Sequence, residues 1–291
     1  PYTLRRLSER ATIGLIAGQG VLPILCADGM RAAGRRVACV GLSGQFDPRL
    51  PKHCDEFPVA GVLRLGRWIR LARRMGFSDA IMVGRVAKSQ MYDRWRYFRY
   101  IPDLRTAKLW FRTLRHDKRP QAVLQALVNE LSSEGIRLID STTYCNEHLA
   151  TPGVMTRRQP TEAQWRDIHT GWTICRTICS LDIGQCIAIF HQDVIAVEAL
   201  EGTNAMLERA GKLCKVGGFT LIKVANKNND MRLDVPTLGM QTIEKMHSVG
   251  AACLVLEPGK TIILERAKVM ELADRYKIAI VGYNGTTPQT P

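Results

Sequence analysis

Short apolar runs alternate with amphipathic stretches along the first half of the chain. Ile13–Ala17 and Arg36–Gly41 have the composition of buried strands, and Leu22–Ala33 between them has the apolar spacing of a helix. Residues 62–86 repeat this order, with an amphipathic helix followed by the strand Ala80–Val83. Strands that alternate with helices predict a parallel α/β sheet, whose ligands bind at the carboxyl ends of the strands.

The pattern changes near residue 135, where the predicted helix Pro120–Glu134 closes at Gly135. The stretch "LDIGQCIAIFHQDVIAVEALEG" predicts two strands with a turn near residues 191–193, and "GFTLIKVA" and "AACLVLEPGKTIILE" continue the strand-rich pattern. Lys268–Tyr276 is a predicted helix before the last strand. We therefore predict two domains, a parallel α/β domain over residues 1–135 and a mixed α/β domain over residues 136–291.

Composition indicates a globular protein, with 46% hydrophobic and 23% charged residues in 291 positions. No apolar run approaches the roughly 20 residues that span a bilayer, and the arginine-rich start leads straight into a strand rather than a signal peptide. The nine cysteines are scattered without a CxxC pair. This arrangement favours a reducing cytoplasm and excludes a disulfide framework and a metal–thiolate site.

The net charge of +14 is concentrated in the first half of the chain. Residues 1–135 carry 24 Lys and Arg against 11 Asp and Glu, whereas residues 136–291 carry 17 against 16. The excess lies between Arg64 and Arg119, interleaved with aromatic residues. Such a region suits an anionic membrane surface, a phosphorylated lipid or nucleic acid, and a solvated helix face is an equally good interpretation.

The turn Gly18-Gln19-Gly20 follows the first predicted strand and precedes a helix. It lacks the third glycine of a GxGxxG fingerprint, so a nicotinamide cofactor has poor support. A short glycine turn before a helix can still hold phosphate through its backbone N–H groups.

Acidic residues recur at predicted strand ends in the second half, at Asp182, at Glu198 and Glu201, at Asp230 and Asp234, and at Glu257. Asp230, Arg232 and Asp234 alternate, so an extended segment would point all three to one side. A structural ion-pair cluster would account for this pattern. So would a site in which carboxylates hold Mg²⁺ and the arginine binds phosphate.

The segment Glu198 to Asn204 carries a surplus of polar groups at a strand-to-helix junction. Glu198 and Glu201 would face opposite sides of a strand, which indicates that one is structural. Thr203 and Asn204 are placed to cap the next helix, and spacing alone favours capping over catalysis. The histidines are isolated, and neither a GxSxG elbow nor a Walker-type GxxxxGK[ST] loop is present. Attack by an activated water is the mechanism that remains.

Many ordered pieces of the chain resemble one family. They are "IGLIAGQGVLPIL", "VGLSGQFDPRL", "DAIMVGRV", "PDLRT", "EGIRLIDST", "HLATPGVMT", "RDIHTG", "LDIGQ", "VIAVEALEGTNAMLERA", "RLDVPTLG" and "TIILER", which lie between about residues 12 and 283. The sequence is similar in these pieces to the LpxI-type UDP-2,3-diacylglucosamine pyrophosphatases of lipid A biosynthesis.

The resemblance implies a Mg²⁺-dependent hydrolase that releases UMP and 2,3-diacylglucosamine 1-phosphate (lipid X). It also implies a Rossmann-like N-terminal domain, a C-terminal α/β domain, a lipid product held between them, and a cytoplasmic protein at the inner-membrane surface. The basic, aromatic region would then face the membrane or the acyl-chain entrance.

On this interpretation the second-half site has two sides. Asp230, Asp234 and Glu198 are the expected metal ligands, Asp230 or Asp234 positions the water, and Arg232 clamps phosphate. Glu201 is a further catalytic candidate. The expected substrate-binding residues are Gly18, Gln19, Gly20, Gly84, Arg85, Asp182, Gln185, Thr203 and Asn204.

The chain departs from the family pattern at three places. Asn204 stands where the family has Asp, "NKNND" replaces PKPGQD, and "HDKRPQ" replaces a Gly-Asp-Asp segment. These changes keep open a non-catalytic relative that binds nucleotide-sugar lipids. Nucleic-acid binding would require steep salt dependence and is not expected. A homodimer is left open.

Overall fold

The computed structural model describes residues 12–86, 101–115, 120–225, 232 and 235–286. These residues form two compact units that divide after Cys145, and Arg232 belongs to the first unit. The division falls beyond residue 135 because the short strand Arg137–Leu138 pairs with Asp79 and Ala80 in the first sheet.

The first unit contains a five-stranded sheet. Its strands are β1 (Thr12–Ala17), β2 (Val37–Leu42), β3 (Val59–Ala60), β4 (Phe77–Val83) and β5 (Arg137–Leu138). The order is β3-β2-β1-β4-β5 and every pairing is parallel. The predicted parallel α/β sheet is confirmed.

Helices follow the strands of this unit. They are α1 (Leu22–Ala32), α2 (Leu65–Met75), α3 (Leu104–Leu109), which continues as a π-helical turn (Trp110–Leu114), and α4 (Pro120–Ser133), with a 3₁₀ turn at Leu50–His53. Helix α2 buries Leu65, Trp68, Ile69 and Ala72, the spacing of one helical face. It ends at Gly76, whose φ of 74° is the left-handed conformation that glycine adopts at helix ends.

The central strands of the first sheet are apolar throughout because both of their faces are covered. All six residues of β2 are buried, as are five of the six in β1. Gly14 of β1 packs against the ring of Phe77, where a Cβ would lie 2.3 Å from the nearest ring atom.

The second unit contains a six-stranded mixed sheet and a two-stranded one. The strands of the larger sheet are β6 (Gly153–Val154), β7 (Cys186–Phe190), β8 (Asp193–Val197), β9 (Thr220–Lys223), β11 (Cys253–Leu256) and β13 (Ala279–Gly282), in the order β6-β13-β11-β9-β7-β8. Strands β10 (Thr237–Leu238) and β12 (Ile262–Ile263) form the smaller one. Strands β9, β11 and β13 are parallel, while β6 and β7 run opposite to their neighbours. The predicted mixed α/β character is confirmed.

Helices cover both faces of the larger sheet. They are α5 (Glu162–Ser180), α6 (Gly202–Leu213), α7 (Met240–Ser248) and α8 (Arg266–Arg275), with a 3₁₀ turn at Asn146–His148. Helix α5 buries Ile168, Trp172 and Cys175 in the core on one face. Leu207 of α6, Ile243 of α7 and Val269 of α8 belong to the core on the other face. The second unit therefore has three layers.

Two further findings bear on the sequence predictions. No helix in the described part of the chain is long and apolar enough to cross a membrane. All nine cysteines are free thiols, and only Cys54 is not buried.

Candidate functional site

Two glycine turns meet at the carboxyl edge of the first sheet. The Gln19 N–H donates to the Arg85 carbonyl at 2.8 Å, and the Arg85 N–H donates to the Gln19 carbonyl at 3.0 Å. Strands β1 and β4, which these turns follow, are neighbours at the point where the strand order reverses. Ligands of open α/β sheets bind at such a point. The structure thus brings together the two segments predicted to bind substrate from the first domain.

Close backbone approach explains the glycines in these turns. A Cβ on Gly18 would lie 2.7 Å from the Arg85 carbonyl oxygen, and a Cβ on Gly84 would lie 2.6 Å from the Gly18 carbonyl carbon. Gly84 also has a φ of 95°, and Gly20 has a φ of 105° just before α1. Both φ values lie in the region that favours glycine. The Arg85 side chain is exposed at this edge.

Arg232 lies near the same edge of the first sheet. Ser141 Oγ is 3.2 Å from the Arg232 carbonyl oxygen and 3.2 Å from that of Met82 in β4. Arg232 itself lies in a turn. Asp230 and Asp234 lie outside the described residues, so the arrangement of the three charged side chains stays a prediction.

Most of the other predicted site residues lie at the carboxyl edge of the second unit's larger sheet. Strands β8 and β9 run in the same direction because β7 between them is antiparallel to both. Glu198 follows β8, and Lys223 ends β9. Asp182 and Gln185 precede β7, which starts at this edge because of its reversed direction.

Glu198 is 7% exposed and has one satisfied and one unsatisfied carboxylate oxygen. Its Oε1 accepts a 2.7 Å hydrogen bond from Thr203 Oγ1. Its Oε2 is enclosed and has no hydrogen-bond partner in the described structure. A buried carboxylate oxygen without a partner is unfavourable by itself, and a bound cation is one group that would satisfy it.

The Thr203 side chain donates a hydrogen bond to the Glu198 carboxylate and does not cap helix α6. Helix α6 begins at Gly202 with Glu201 in the N-cap position, and no side chain caps it. The capping interpretation of Thr203 is therefore wrong, because its hydroxyl donates to Glu198 instead. Asn204 is exposed in the first turn of α6.

Glu201 is exposed and paired with an arginine. Its Oε1 accepts from Arg209 Nη2 at 2.6 Å, and the same Nη2 donates to the Val197 carbonyl at 2.8 Å. Its own backbone N–H and the Arg209 guanidinium lower the pKa of the Glu201 carboxyl. The catalytic role of Glu201 stays a prediction, and the ion pair with Arg209 holds its side chain.

Asp182 and Gln185 border the start of β7. Asp182 is exposed and has a φ of 56°, just past the end of α5. The Gln185 carbonyl accepts from the Val224 N–H at 3.0 Å, which ties this loop to the chain leaving β9. Between them, Gly184 packs so closely on the Glu198 backbone that a Cβ would lie 1.9 Å from its carbonyl oxygen.

Sequence reasoning missed a lysine in this cluster. Cys186 lies opposite Lys223 in β9, and its carbonyl accepts from the Glu198 N–H at 2.9 Å on the other side. Lys223, Cys186 and Glu198 thus form one row across three strands, and their side chains share a face. Burial, and then Glu198, raise the pKa of the Cys186 thiol, whereas Lys223 lowers it. The only sequence signal was a lysine that interrupts the apolar run "GFTLIKVA".

The sequence did not predict the ion-pair network around Glu257. Its Oε2 accepts from Arg176 Nη1 at 2.9 Å and from the Ala225 N–H at 3.0 Å, and its Oε1 lies 2.7 Å from Lys260 Nζ. Arg176 Nη1 also donates to the Ala225 carbonyl at 3.1 Å. Both polar groups of Ala225, where the chain has just left β9, are therefore held by this ion pair.

Mg²⁺ binds hard oxygen ligands such as carboxylates. Among the described residues, no group of three or more Asp, Glu, His or Cys side chains is arranged to hold a metal ion. The unpartnered Oε2 of Glu198 is a hard oxygen of the type that Mg²⁺ prefers. Glu198 thus fits as one ligand, and Asp230 and Asp234 lie outside the described residues.

Two family models match almost the whole chain. The LpxI N-terminal domain matches residues 12–148, and the LpxI C-terminal domain matches residues 151–281. The chain belongs to the LpxI family. A relative, the UDP-2,3-diacylglucosamine pyrophosphatase LpxI of Caulobacter vibrioides, is 30% identical over an alignment of 282 residues that covers 93% of this chain and 96% of the relative. The resemblance inferred from the ordered motifs is confirmed.

Proposed function

We propose that this LpxI protein is a Mg²⁺-dependent hydrolase that cleaves the pyrophosphate bond of UDP-2,3-diacylglucosamine to UMP and lipid X in lipid A biosynthesis. The observation that carries the Mg²⁺ requirement is the enclosed, unpartnered Oε2 of Glu198 at the carboxyl edge of the second sheet. The name of the Caulobacter relative supports the substrate and the reaction.

The reaction adds one water across a P–O–P linkage. The water oxygen bonds to one phosphorus, the bridging oxygen leaves with the electron pair on the other phosphate, and a carboxylate takes the proton that the water gives up. Asp230 or Asp234 is the proposed base, and Glu198 with these two residues would hold Mg²⁺. Bound Mg²⁺ would offset the negative charge of the diphosphate.

Backbone and cationic groups bind the substrate in this proposal. Arg232 clamps phosphate oxygens in the fork geometry of a guanidinium. The turns at Gly18–Gly20 and at Gly84 and Arg85 contribute backbone N–H groups and a positive charge. Each of these groups would stabilise the complex between the protein and the diphosphate.

We also assign the basic, aromatic segment to an anionic membrane surface. Leu104 is 92% exposed and Phe111 is 64% exposed, and Arg105, Lys108 and Arg112 lie in the same segment. Apolar side chains that enter the interface, with lysine and arginine beside them, are the features of peripheral membrane binding. The diacylated substrate resides in such a surface.

The test is UMP release from the diacylated substrate in detergent, with Mg²⁺ or with EDTA. We expect turnover that needs Mg²⁺, that Asp230→Ala abolishes, and that Glu198→Gln lowers at least about 100-fold, the scale of a lost group that stabilises charge in the transition state. Asp193→Ala and Glu271→Gln, at exposed positions on β8 and α8, are the matched controls and should keep wild-type rates.

The alternative is a relative that binds nucleotide-sugar lipids without cleaving them. Tight binding of the substrate with no UMP release would favour this alternative. Asn204→Asp, which restores the family's residue, would then be expected to recover turnover. Unchanged, Mg²⁺-independent rates in both Asp230→Ala and Glu198→Gln would refute the proposed acidic site.

A further inference from the structure

Two oppositely charged side chains lie buried close together without pairing. Lys223 is 9% exposed and Glu198 is 7% exposed. Within the described residues, no carboxylate lies within 4.0 Å of the Lys223 ammonium, and Glu198 Oε2 has no partner. One Glu198 oxygen is thus enclosed without a partner, whereas Lys223 Nζ is not among the enclosed, unpartnered atoms of the described residues.

Their positions in the sheet determine what could fit between them. The two residues occupy one row on strands β9 and β8, with β7 between them, so their Cα atoms are roughly 10 Å apart. Both side chains point to the face on which α6 packs, as do Leu221 and Ala196 two residues earlier in each strand. The small side chain of Cys186 lies between them.

The surroundings favour an anion beside the lysine. This edge is the carboxyl end of parallel strands, and helix α6 starts at Gly202, close to Glu198. The first N–H groups of a helix and a lysine together bind phosphate oxygens. The free oxygen of Glu198 is suited to a cation that accompanies such a phosphate.

We propose that Lys223 is a substrate-binding residue whose ammonium binds a phosphoryl oxygen of the diphosphate. The proposal rests on the proposed function in taking a diphosphate as the ligand. Lys223 and Glu198 thus have complementary tasks, since the lysine binds the anion directly and the glutamate binds its counter-ion. The two side chains do not pair with each other, so each is available to a group of the ligand.

The first experiment measures equilibrium binding of inorganic pyrophosphate to the full chain by calorimetry, in EDTA. We expect Lys223→Met to weaken binding about 10- to 100-fold, the range for a lost charge-assisted hydrogen bond, and Lys223→Arg to keep most of the affinity. Lys215→Met removes the same charge from an exposed loop before β9 and should bind like wild type. Glu198→Gln should bind metal-free pyrophosphate at least as well, because it removes a repelling charge.

The second experiment is thermal unfolding without ligand. Because Lys223 forms no ion pair with a described carboxylate and is largely buried, Lys223→Met loses no such pair and should melt at the same temperature as wild type or higher. A residue with a purely structural role would instead lower it. Lys223→Gln replaces Lys223→Met if the latter does not fold.

Three results would overturn the proposal. They are unchanged pyrophosphate affinity in Lys223→Met, no measurable binding by wild type at millimolar pyrophosphate, and restoration of both stability and binding by Glu198→Gln in the Lys223→Met background. The last would assign Lys223 to neutralising Glu198. Loss of pyrophosphate affinity in Lys223→Met with no UMP release by wild type would refute the hydrolysis while leaving the binding role of Lys223 intact.

Discussion

Replacing Glu257 by Gln should destabilise the second unit more than the loss of an ordinary surface ion pair. The carboxylate is 9% exposed and accepts hydrogen bonds from Arg176 and from the Ala225 N–H, with Lys260 on its other oxygen. Gln keeps one oxygen for the Ala225 N–H and loses the charge that faces the two cations. Arg176, whose side chain is 18% exposed, is then left without its anion.

The magnitude follows from the burial of each partner. Removing one member of a buried ion pair costs about 3–5 kcal/mol, and the retained bond to Ala225 lowers this to about 2–4 kcal/mol. Lys260 adds little, because its side chain is 44% exposed and exposed pairs contribute about 0–1 kcal/mol. For a unit of this size each kcal/mol moves the midpoint by about 2–4 °C, so we expect a fall of roughly 5–15 °C.

The assay is calorimetric unfolding together with urea unfolding followed by circular dichroism. Glu271→Gln is the matched control, because Glu271 pairs with Arg275 at 3.2 Å on the surface and its side chain is 72% exposed. Its loss should cost less than about 1 kcal/mol. A Glu257→Gln midpoint no lower than that of Glu271→Gln would refute the reasoning. A double-mutant cycle that combines Glu257→Gln with Arg176→Met should give a coupling energy of about 1–3 kcal/mol between the two side chains.

Two more predictions concern the first unit. In urea titrations, Gly84→Ala should lower the unfolding free energy by at least about 2 kcal/mol more than Gly34→Ala. Both positions have positive φ, but only a Cβ at Gly84 would clash with Gly18. Equal losses would contradict the close-approach argument. Iodoacetamide should modify Cys54 first among the nine cysteines of the native protein, as read by mass spectrometry, since the other eight are buried and a hydrogen bond from Cys39 lowers the pKa of the Cys54 thiol. Faster labelling of any other cysteine would contradict this prediction.

Local patterns were sufficient for the elements of the first unit. Apolar runs bounded by glycine predicted β1 and α1. The alternation of strand, helix and strand predicted the parallel sheet. The two glycine turns could be named as one site because parallel strands end at the same edge. The contact between Gly18 and Gly84 joins residues far apart in sequence. It depends on β4 pairing with β1 on the side opposite β2.

The second unit was less predictable for physical reasons. Helix α5, the longest of the described helices, went unpredicted because its threonines, cysteines and central Gly171 are poor helix formers, although Thr161 and Gln164 form a capping box. The spacing of Glu198 and Glu201 did indicate that the two differ in role. It could not indicate which one is buried, because that depends on Gly184 and β7 packing against Glu198. Lys223 was missed because a lysine that interrupts an apolar run is also typical of an ordinary strand end.

The strand order of the first sheet differs from that of a doubly wound sheet that binds a dinucleotide. A doubly wound sheet that binds a dinucleotide repeats one mononucleotide-sized half on each side of its central crevice. Here one side has the three strands β3, β2 and β1, whereas the other side has β4 and β5 among the described residues. The part of this unit that the structure describes therefore contains one such three-stranded half rather than the two that a joined dinucleotide spans.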